Sequence, residues 1–414
     1  MPTIAPFGYP FNMMAKPIGA CCNLACTYCY YKGTQGSRES PQHDMGTDVV
    51  SLPHPTSKMR ESLLEEFIRQ YIEAQTVAEV MFTWHGGEPL MLSIPFFEKV
   101  LKLQRRYANG HKIANCLQTN GTLLTDEWCR FFADNDFLVG ISIDGTREQH
   151  DAYRQSLGGK PSFDRVMQGV QLLIHHGVEW NALATVHAAN VGEPRQFYEF
   201  FRSIGCQYLQ FTPIVERISH QTGASYSAFL PGTTEGGELI PCSVSPESWG
   251  KFLCEVFDQW FHYDVGKVFV QIFEATLANW VGMQPGLCSM GMTCGNASVI
   301  EADGTVYACD HFAFPEFRLG NIRQEAIATI AYGSRLRDFA RRKIETLTPQ
   351  CRQCPYLFAC HGECPRNRFV RDTHGHFGHN YLCAGYYRFF HHVAPAMDFM
   401  SQQLRNGLPL SPFP

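Results

Sequence analysis

The first half of the chain alternates between two hydrophobic rhythms. Apolar or β-branched runs at Asn12–Ile18, Val80–Trp84, Lys112–Thr119, Phe137–Ile143, Trp180–His187 and Gln207–Ile214 predict strands. The segments between them carry apolar residues at helical spacing. The clearest places Met59, Leu63, Leu64, Phe67, Ile68, Tyr71 and Ile72 on one face. A second runs from Ser162, a candidate N-cap, through Phe163, Val166, Met167, Val170 and Leu173, and a third starts near Thr125 and carries Trp128, Phe131 and Phe132. Strands that alternate with helices pair in parallel, because parallel neighbours need long crossovers. Six such strands predict an α/β chain whose core is an open, partial (β/α)6 barrel.

The rhythm then changes. From about Ser219 to Pro246 the chain turns to Gly, Ser, Thr and Pro, which predicts an irregular loop or insertion. A helical pattern returns from Trp249 to Phe261, and beyond Val281 the α/β periodicity gives way to cysteines. Tyr386 to Leu404 reads as a helix interrupted at Pro395. These shifts divide the chain into a core at 1–265, a small cysteine-rich domain at 266–385, and a C-terminal helix and tail at 386–414.

Composition narrows the class. With 414 residues, 45% hydrophobic and 18% charged, the chain can bury sizeable cores. No stretch has the apolar length of a membrane span, and the N-terminus lacks the pattern of a secretory signal, so a cytoplasmic location is expected. Seventeen cysteines in a reducing compartment point to metal ligation, not disulfides. A net charge of −5 with dispersed Lys and Arg offers no footprint for nucleic acid.

The cysteines fall in two fields. The first is Cys22-Asn-Leu-Ala-Cys26-Thr-Tyr-Cys29. Three thiolates so spaced can hold three corners of a four-iron cubane and leave one iron open to a ligand, as catalytic metal sites require. A zinc knuckle would need a fourth ligand nearby, and Cys21 adjoins Cys22 too closely to supply it. The second field comprises Cys288, Cys294 and Cys309, then Cys351, Cys354, Cys360 and Cys364, then Cys383. Eight thiolates suffice for two closed cubanes, or for one or two zinc sites. Cys21, Cys116, Cys129, Cys206, Cys242 and Cys254 read as buried free thiols, and His374, His376 and His379 as solvated loop histidines. Motifs with polar or glycine chemistry end the strands: Gly86-Gly87-Glu88 after the second, Gln118-Thr119-Asn120-Gly121 at the third, Ser142-Ile143-Asp144-Gly145 at the fourth.

The three-cysteine loop followed one strand later by Gly-Gly-Glu resembles the radical S-adenosylmethionine (SAM) enzymes. The later cysteines, with the hairpin at Gly304, resemble the SPASM auxiliary-cluster domain. Together with Cys309-Asp310-His311, Cys364-Pro365-Arg366-Asn367-Arg368-Phe369 and Asn380-Tyr381-Leu382-Cys383, nearly the whole chain resembles the anaerobic sulfatase-maturating enzymes.

The resemblance implies SAM and three [4Fe–4S] clusters. Cys22, Cys26 and Cys29 would hold the first, Cys288, Cys294, Cys309 and Cys364 the second, and Cys351, Cys354, Cys360 and Cys383 the third. It implies that Gly86, Gly87 and Glu88 hold the SAM amino group, with Ser142 and Arg154 as further SAM contacts, and that Tyr31 and His85 lie near substrate. His85 departs from the Gln that many relatives carry there.

The implied reaction converts a Cys or Ser of an unfolded or nascent sulfatase polypeptide to Cα-formylglycine. A 5′-deoxyadenosyl radical removes a Cβ hydrogen, Asp310 takes the proton, and an auxiliary cluster accepts the electron. A low-potential donor such as flavodoxin or ferredoxin would be the redox partner. Which of Cys or Ser is preferred is not legible in the chain. The alternative is another SPASM peptide maturase that forms a thioether or carbon–carbon crosslink in a small peptide.

Overall fold

The computed structural model describes residues 11–31, 58–218, 237–295 and 297–413. Six strands follow one another in parallel: β1 (Asn12–Lys16), β2 (Glu79–Trp84), β3 (Lys112–Thr119), β4 (Phe137–Ser142), β5 (Trp180–Val186) and β6 (Tyr208–Pro213). The helices between them include α1 (Glu61–Glu73), α2 (Ile94–Tyr107), α3 (Asp126–Asp134), α4 (Phe163–His175) and α5 (Pro194–Ser203). Each buries the face that its apolar spacing marks. On α1 these are Leu63, Leu64, Phe67, Ile68, Tyr71 and Ile72. The predicted partial α/β barrel is thus what forms, with strand bounds within two residues of those read from the sequence.

The sheet is larger than six strands. A short strand β7 (Phe269–Val270) joins the β6 edge. On the other side β8 (Ala297–Glu301) pairs in parallel with β1, and β9 (Thr305–Tyr307) and β10 (Arg318–Asn321) continue antiparallel, so the order is β10-β9-β8-β1-β2-β3-β4-β5-β6-β7. The cysteine-rich segment is therefore hydrogen-bonded to the barrel's first strand. Gly304, at φ +88°, turns the β8–β9 hairpin as its position predicts.

Two local readings are corrected. Thr125 does cap α3, accepting from Trp128 N–H at 3.3 Å, but Ser162 does not cap α4. The Ser162 hydroxyl donates to the Arg154 carbonyl at 2.7 Å, and Asp151 from the preceding turn accepts from the N–H groups of Ser162 and Phe163. Pro395 does not interrupt the last helix either. That helix, α9, runs unbroken over Cys383–Arg405, the lost hydrogen bond being outweighed by burial of Phe389, Phe390, Val393, Met397 and Met400. Most of the predicted loop after Ser219 lies outside the described residues. Its end, Glu238–Leu239, pairs with Arg217–Ile218.

The helix α6 (Pro246–Tyr263), which α7 (Gln271–Trp280) follows, and α9 cross at two glycines. A Cβ on Gly385 would lie 2.2 Å from the Pro246 carbonyl oxygen, and one on Gly250 would lie 2.8 Å from the Gly385 Cα. The backbones touch, so no side chain fits between them. Among the described residues no helix is long and apolar enough to cross a membrane.

Candidate active site

The site collects where parallel strands end, the edge at which α/β sheets bind ligands. β1 and β2 are neighbours, so the loop that follows β1 and the turn that follows β2 meet. Gly87 N–H donates to the Gly19 carbonyl at 2.7 Å and Glu88 N–H to the Cys21 carbonyl at 2.9 Å. A Cβ on Gly87 would sit 2.0 Å from that Cys21 oxygen, so only glycine lets the turn seat the cysteine loop. The loop's other side is pinned by Ala25 N–H to Gln155 O at 2.7 Å and Thr27 N–H to Tyr153 O at 3.0 Å. The Cys26 thiol lies in the electrostatic field of Cys22 and Cys29. Burial pushes the Cys26 thiol up to about 12 despite the Arg154 guanidinium beside it, so a bound metal would have to displace its proton.

Glu88 does not point its carboxylate at open space. Fully buried, it accepts from Leu90 N–H at 2.9 Å, the Thr119 hydroxyl at 2.7 Å and Asn120 N–H at 2.8 Å, which ties the end of β2 to the end of β3. Burial raises this carboxyl to about 7, against the pull of those three donors. Glu88→Gln offers one acceptor oxygen where two are used. It should therefore cost about 1–3 kcal/mol in urea unfolding of the anaerobic protein, the price of an orphaned buried N–H. An unchanged midpoint would show that this tie is dispensable.

Ser142, at the end of β4, accepts from the Gln118 amide at 3.0 Å. Arg154 is buried and donates from Nε to Asp144 at 2.8 Å. Asp144 also accepts from Tyr28 of the cysteine loop and from Thr185 N–H at 2.9 Å, with His187 at 3.6 Å. Burial would raise the Asp144 carboxyl, but Arg154, His187 and His150 hold it well below the usual range. A charged network thus fixes Arg154 beneath the cysteine loop.

On the β8 side stands Asp310, directly after Cys309. The fully buried Lys16 ammonium at the end of β1 pairs with one carboxylate oxygen, and the Tyr30 hydroxyl donates to the other. Burial opposes its ionisation, yet Lys16, with His85 and His311 in the same field, holds the carboxyl well below its ordinary value. Tyr31 donates to Glu301 at 2.6 Å, and its ring lies 3.5 Å from the Lys16 ammonium. His85 follows β2, accepts from Gly86 N–H at 2.8 Å, and is kept neutral-leaning by burial. Asp310, Tyr31 and His85 therefore surround one lysine. Sequence reading missed Lys16, Tyr30 and Glu301, although a lysine closing the apolar strand Asn-Met-Met-Ala-Lys is an audible anomaly.

The later cysteines sort by proximity. Cys364 lies in the field of Cys288, Cys294 and Cys309, while Cys360 lies in that of Cys351 and Cys383, and Cys383 in that of Cys351 and Cys354. The thiols of each group named above thus lie near one another, interleaved in sequence. Among the described residues no three His, Cys, Asp or Glu side chains converge on a point that could hold a single ion. Four thiols to a group suit the corners of a cubane. His379 is not solvated: it is buried, with Nδ1 at 3.1 Å from the Thr348 hydroxyl and 3.5 Å from the Cys351 sulfur. Cys129, Cys206, Cys242 and Cys254 are buried thiols, whereas Cys21 and Cys116 are half-buried.

Residues 17–201 match the radical SAM superfamily and residues 288–355 the iron–sulfur cluster-binding SPASM domain. A serine-type anaerobic sulfatase-maturating enzyme of Bacteroides thetaiotaomicron is 52% identical over 406 residues, 98% of this chain and 94% of that protein. The chain belongs to the anaerobic sulfatase-maturating enzymes. A cysteine-type member of that family from Clostridium perfringens is 28% identical over 399 residues, 96% of this chain and all (100%) of the other. The solved structure of native anSMEcpe with bound AdoMet and the Cp18Cys peptide superposes with a TM-score of 0.80 at 27% identity, covering 96% of this chain and 100% of that one. As a sulfatase-maturating radical SAM enzyme with a SPASM domain, the protein uses SAM and [4Fe–4S] clusters, three in this family.

Proposed function

We propose that this protein oxidises one side chain of an unfolded sulfatase polypeptide to Cα-formylglycine, and that serine is its preferred substrate residue. The observation that carries the reading is Asp310. Ion-paired with Lys16, it is held ionised between the Cys22–Cys29 loop, reached through Tyr30, and the auxiliary thiol Cys309. The serine preference rests on the Bacteroides relative at 52% identity and a Klebsiella aerogenes relative at 36%, both serine-type.

When bound, SAM and the cluster of the Cys22, Cys26 and Cys29 thiolates supply a carbon-centred 5′-deoxyadenosyl radical, and the auxiliary clusters of the other eight cysteines supply an electron acceptor. The substrate then loses one Cβ hydrogen atom, one hydroxyl proton and one electron, which together turn –CH2OH into –CHO. The chain's own part is to position and to receive. Asp310 takes the hydroxyl proton. A carboxylate held ionised is a weak base, yet it suffices, because the O–H of a carbon radical is far more acidic than that of an alcohol. Tyr30 and Lys16 fix its two oxygens. Tyr31 and His85 border the same space, and the Gly86–Gly87 backbone, Ser142 and Arg154 remain for the amino and carboxylate groups of SAM, Glu88 acting through the turn it ties. A flavodoxin or ferredoxin is the expected donor of the priming electron.

The test is anaerobic incubation of reconstituted protein with SAM, a reductant, and two sulfatase-motif peptides, one Ser and one Cys, read by mass spectrometry. Formylglycine from the Ser peptide at the higher rate, with 5′-deoxyadenosine, is expected. A faster Cys peptide would overturn the preference, and deoxyadenosine with neither peptide changed would move the substrate elsewhere.

A further inference from the structure

The auxiliary region contains a buried lysine that the reaction above does not use. Lys343 lies on α8 (Ser334–Glu345) and is 0% exposed. Its amino nitrogen is 2.9 Å from the Cys288 carbonyl, 2.7 Å from that of Ser289 and 2.5 Å from that of Gly291. Carbonyl oxygens only accept, so three such bonds need three N–H groups, which only the charged ammonium has. Among the described residues no carboxylate forms an ion pair with it, although the buried Glu363 carboxyl lies in its field. The positive charge sits in the field of the Cys288 and Cys294 thiols.

A second buried cation stands behind it. Arg368 donates from Nη1 to the Lys343 carbonyl at 2.6 Å, from Nε to the Gly362 carbonyl at 2.9 Å, and from Nη2 to the carbonyls of His361 at 3.1 Å and Glu363 at 3.2 Å. It thereby holds the turn between Cys360 and Cys364, the point where the chain passes from one cysteine group to the other. Its charge acts on Cys351 of one group and on Cys364 and Cys294 of the other. Both cations bind backbone carbonyls, as structural pegs would. Neutral donors could close the same turns without the cost of burying a charge.

We infer that Lys343 and Arg368 are positioning residues whose charge sets the reduction potentials of the auxiliary clusters, Lys343 that of the Cys288/Cys294/Cys309/Cys364 site alone and Arg368 those of both. The inference rests on the cluster assignment proposed above. A four-thiolate cubane is negative in both oxidation states and more so when reduced. A fixed buried cation therefore favours the reduced state and makes the site a better acceptor for the single electron that the substrate radical gives up. Lys343 lies beside the group that includes Cys309, the neighbour of Asp310, so the tuning falls where that electron would arrive.

The experiment is an EPR-monitored redox titration of the full-length reconstituted protein without substrate, beside Lys343→Gln, Lys343→Arg, Arg368→Gln and Arg368→Lys. The component that changes on adding SAM is set aside as the first cluster. Lys343→Gln, which keeps N–H donors without charge, should lower one auxiliary component at least tenfold in its equilibrium constant for reduction, about 59 mV for one electron. Arg368→Gln should lower both, and the charge-conserving variants should titrate like the parent. Neutral variants that assemble fully and keep parental potentials would overturn the inference. Should the neutral variants fail to assemble, assembly and parental potentials in the charge-conserving pair would support a need for charge, and their failure as well would show that geometry alone matters. A parent protein with no auxiliary iron would instead remove the cluster assignment itself.

Discussion

Asp310→Asn is expected to lower formylglycine formation by about 10²- to 10⁴-fold, the usual worth of a positioned general base, while 5′-deoxyadenosine still forms. The structure adds a second expected effect. Lys16 is fully buried and Asp310 is its ion-pair partner, so the asparagine leaves an ammonium without a counter-charge. Removing one member of a buried pair costs about 3–5 kcal/mol. The variant should thus be less stable as well as inactive, and low activity alone would be ambiguous. The double variant Lys16→Met/Asp310→Asn separates the two, since it removes both charges. It should recover much of the lost stability in urea unfolding and none of the aldehyde formation. Restored activity in the double variant would mean that Asp310 serves only to neutralise Lys16.

Cys26→Ala should reduce 5′-deoxyadenosine formation to background and take iron from about twelve to about eight per chain, the loss of one four-iron cluster. The loop should survive the change. Its backbone is held on one side by Gly87 and Glu88 and on the other by Gln155 and Tyr153, in bonds that do not involve the thiol. Iron analysis and chromatography of the SAM products check both numbers. Retained SAM cleavage would place the reactive cluster away from this loop, and stoichiometric zinc without sulfide would replace the iron reading altogether.

The barrel was legible because its strands and helices each bury one face, and a face leaves a period. Lys112–Thr119 was bounded to the residue on that signal. The attachment of β8 to β1 left none, since Ala297–Glu301 is five residues long and its partner lies about two-thirds of the chain away. Cysteine spacing revealed the number of thiolates but not their interleaving, which came from the resemblance alone; in the structure Cys364 lies by Cys288, Cys294 and Cys309, and Cys383 by Cys351 and Cys354. Glu88 shows the converse limit. The motif marked the right turn, but whether a carboxylate faces a ligand or its own backbone depends on the Thr119–Asn120 strand end, which no local pattern encodes. Lys16 was hidden for a similar reason: its partner arrives 294 positions later.

The crossing of α6 and α9 bears on how the protein is made. Cys383, the first residue of α9, is held in place by a seam in which Gly385 rests on the Pro246–Gly250 turn of α6. A chain emerging from the ribosome presents Cys351, Cys354 and Cys360 before that seam can form, and so offers an incomplete set of thiols. On the proposed assignment the last cluster can be closed only after synthesis has reached α9, whereas the Cys22–Cys29 loop is available from the start. Completion of that cluster is then a late step in the making of the chain, while the barrel's own thiols are complete much earlier.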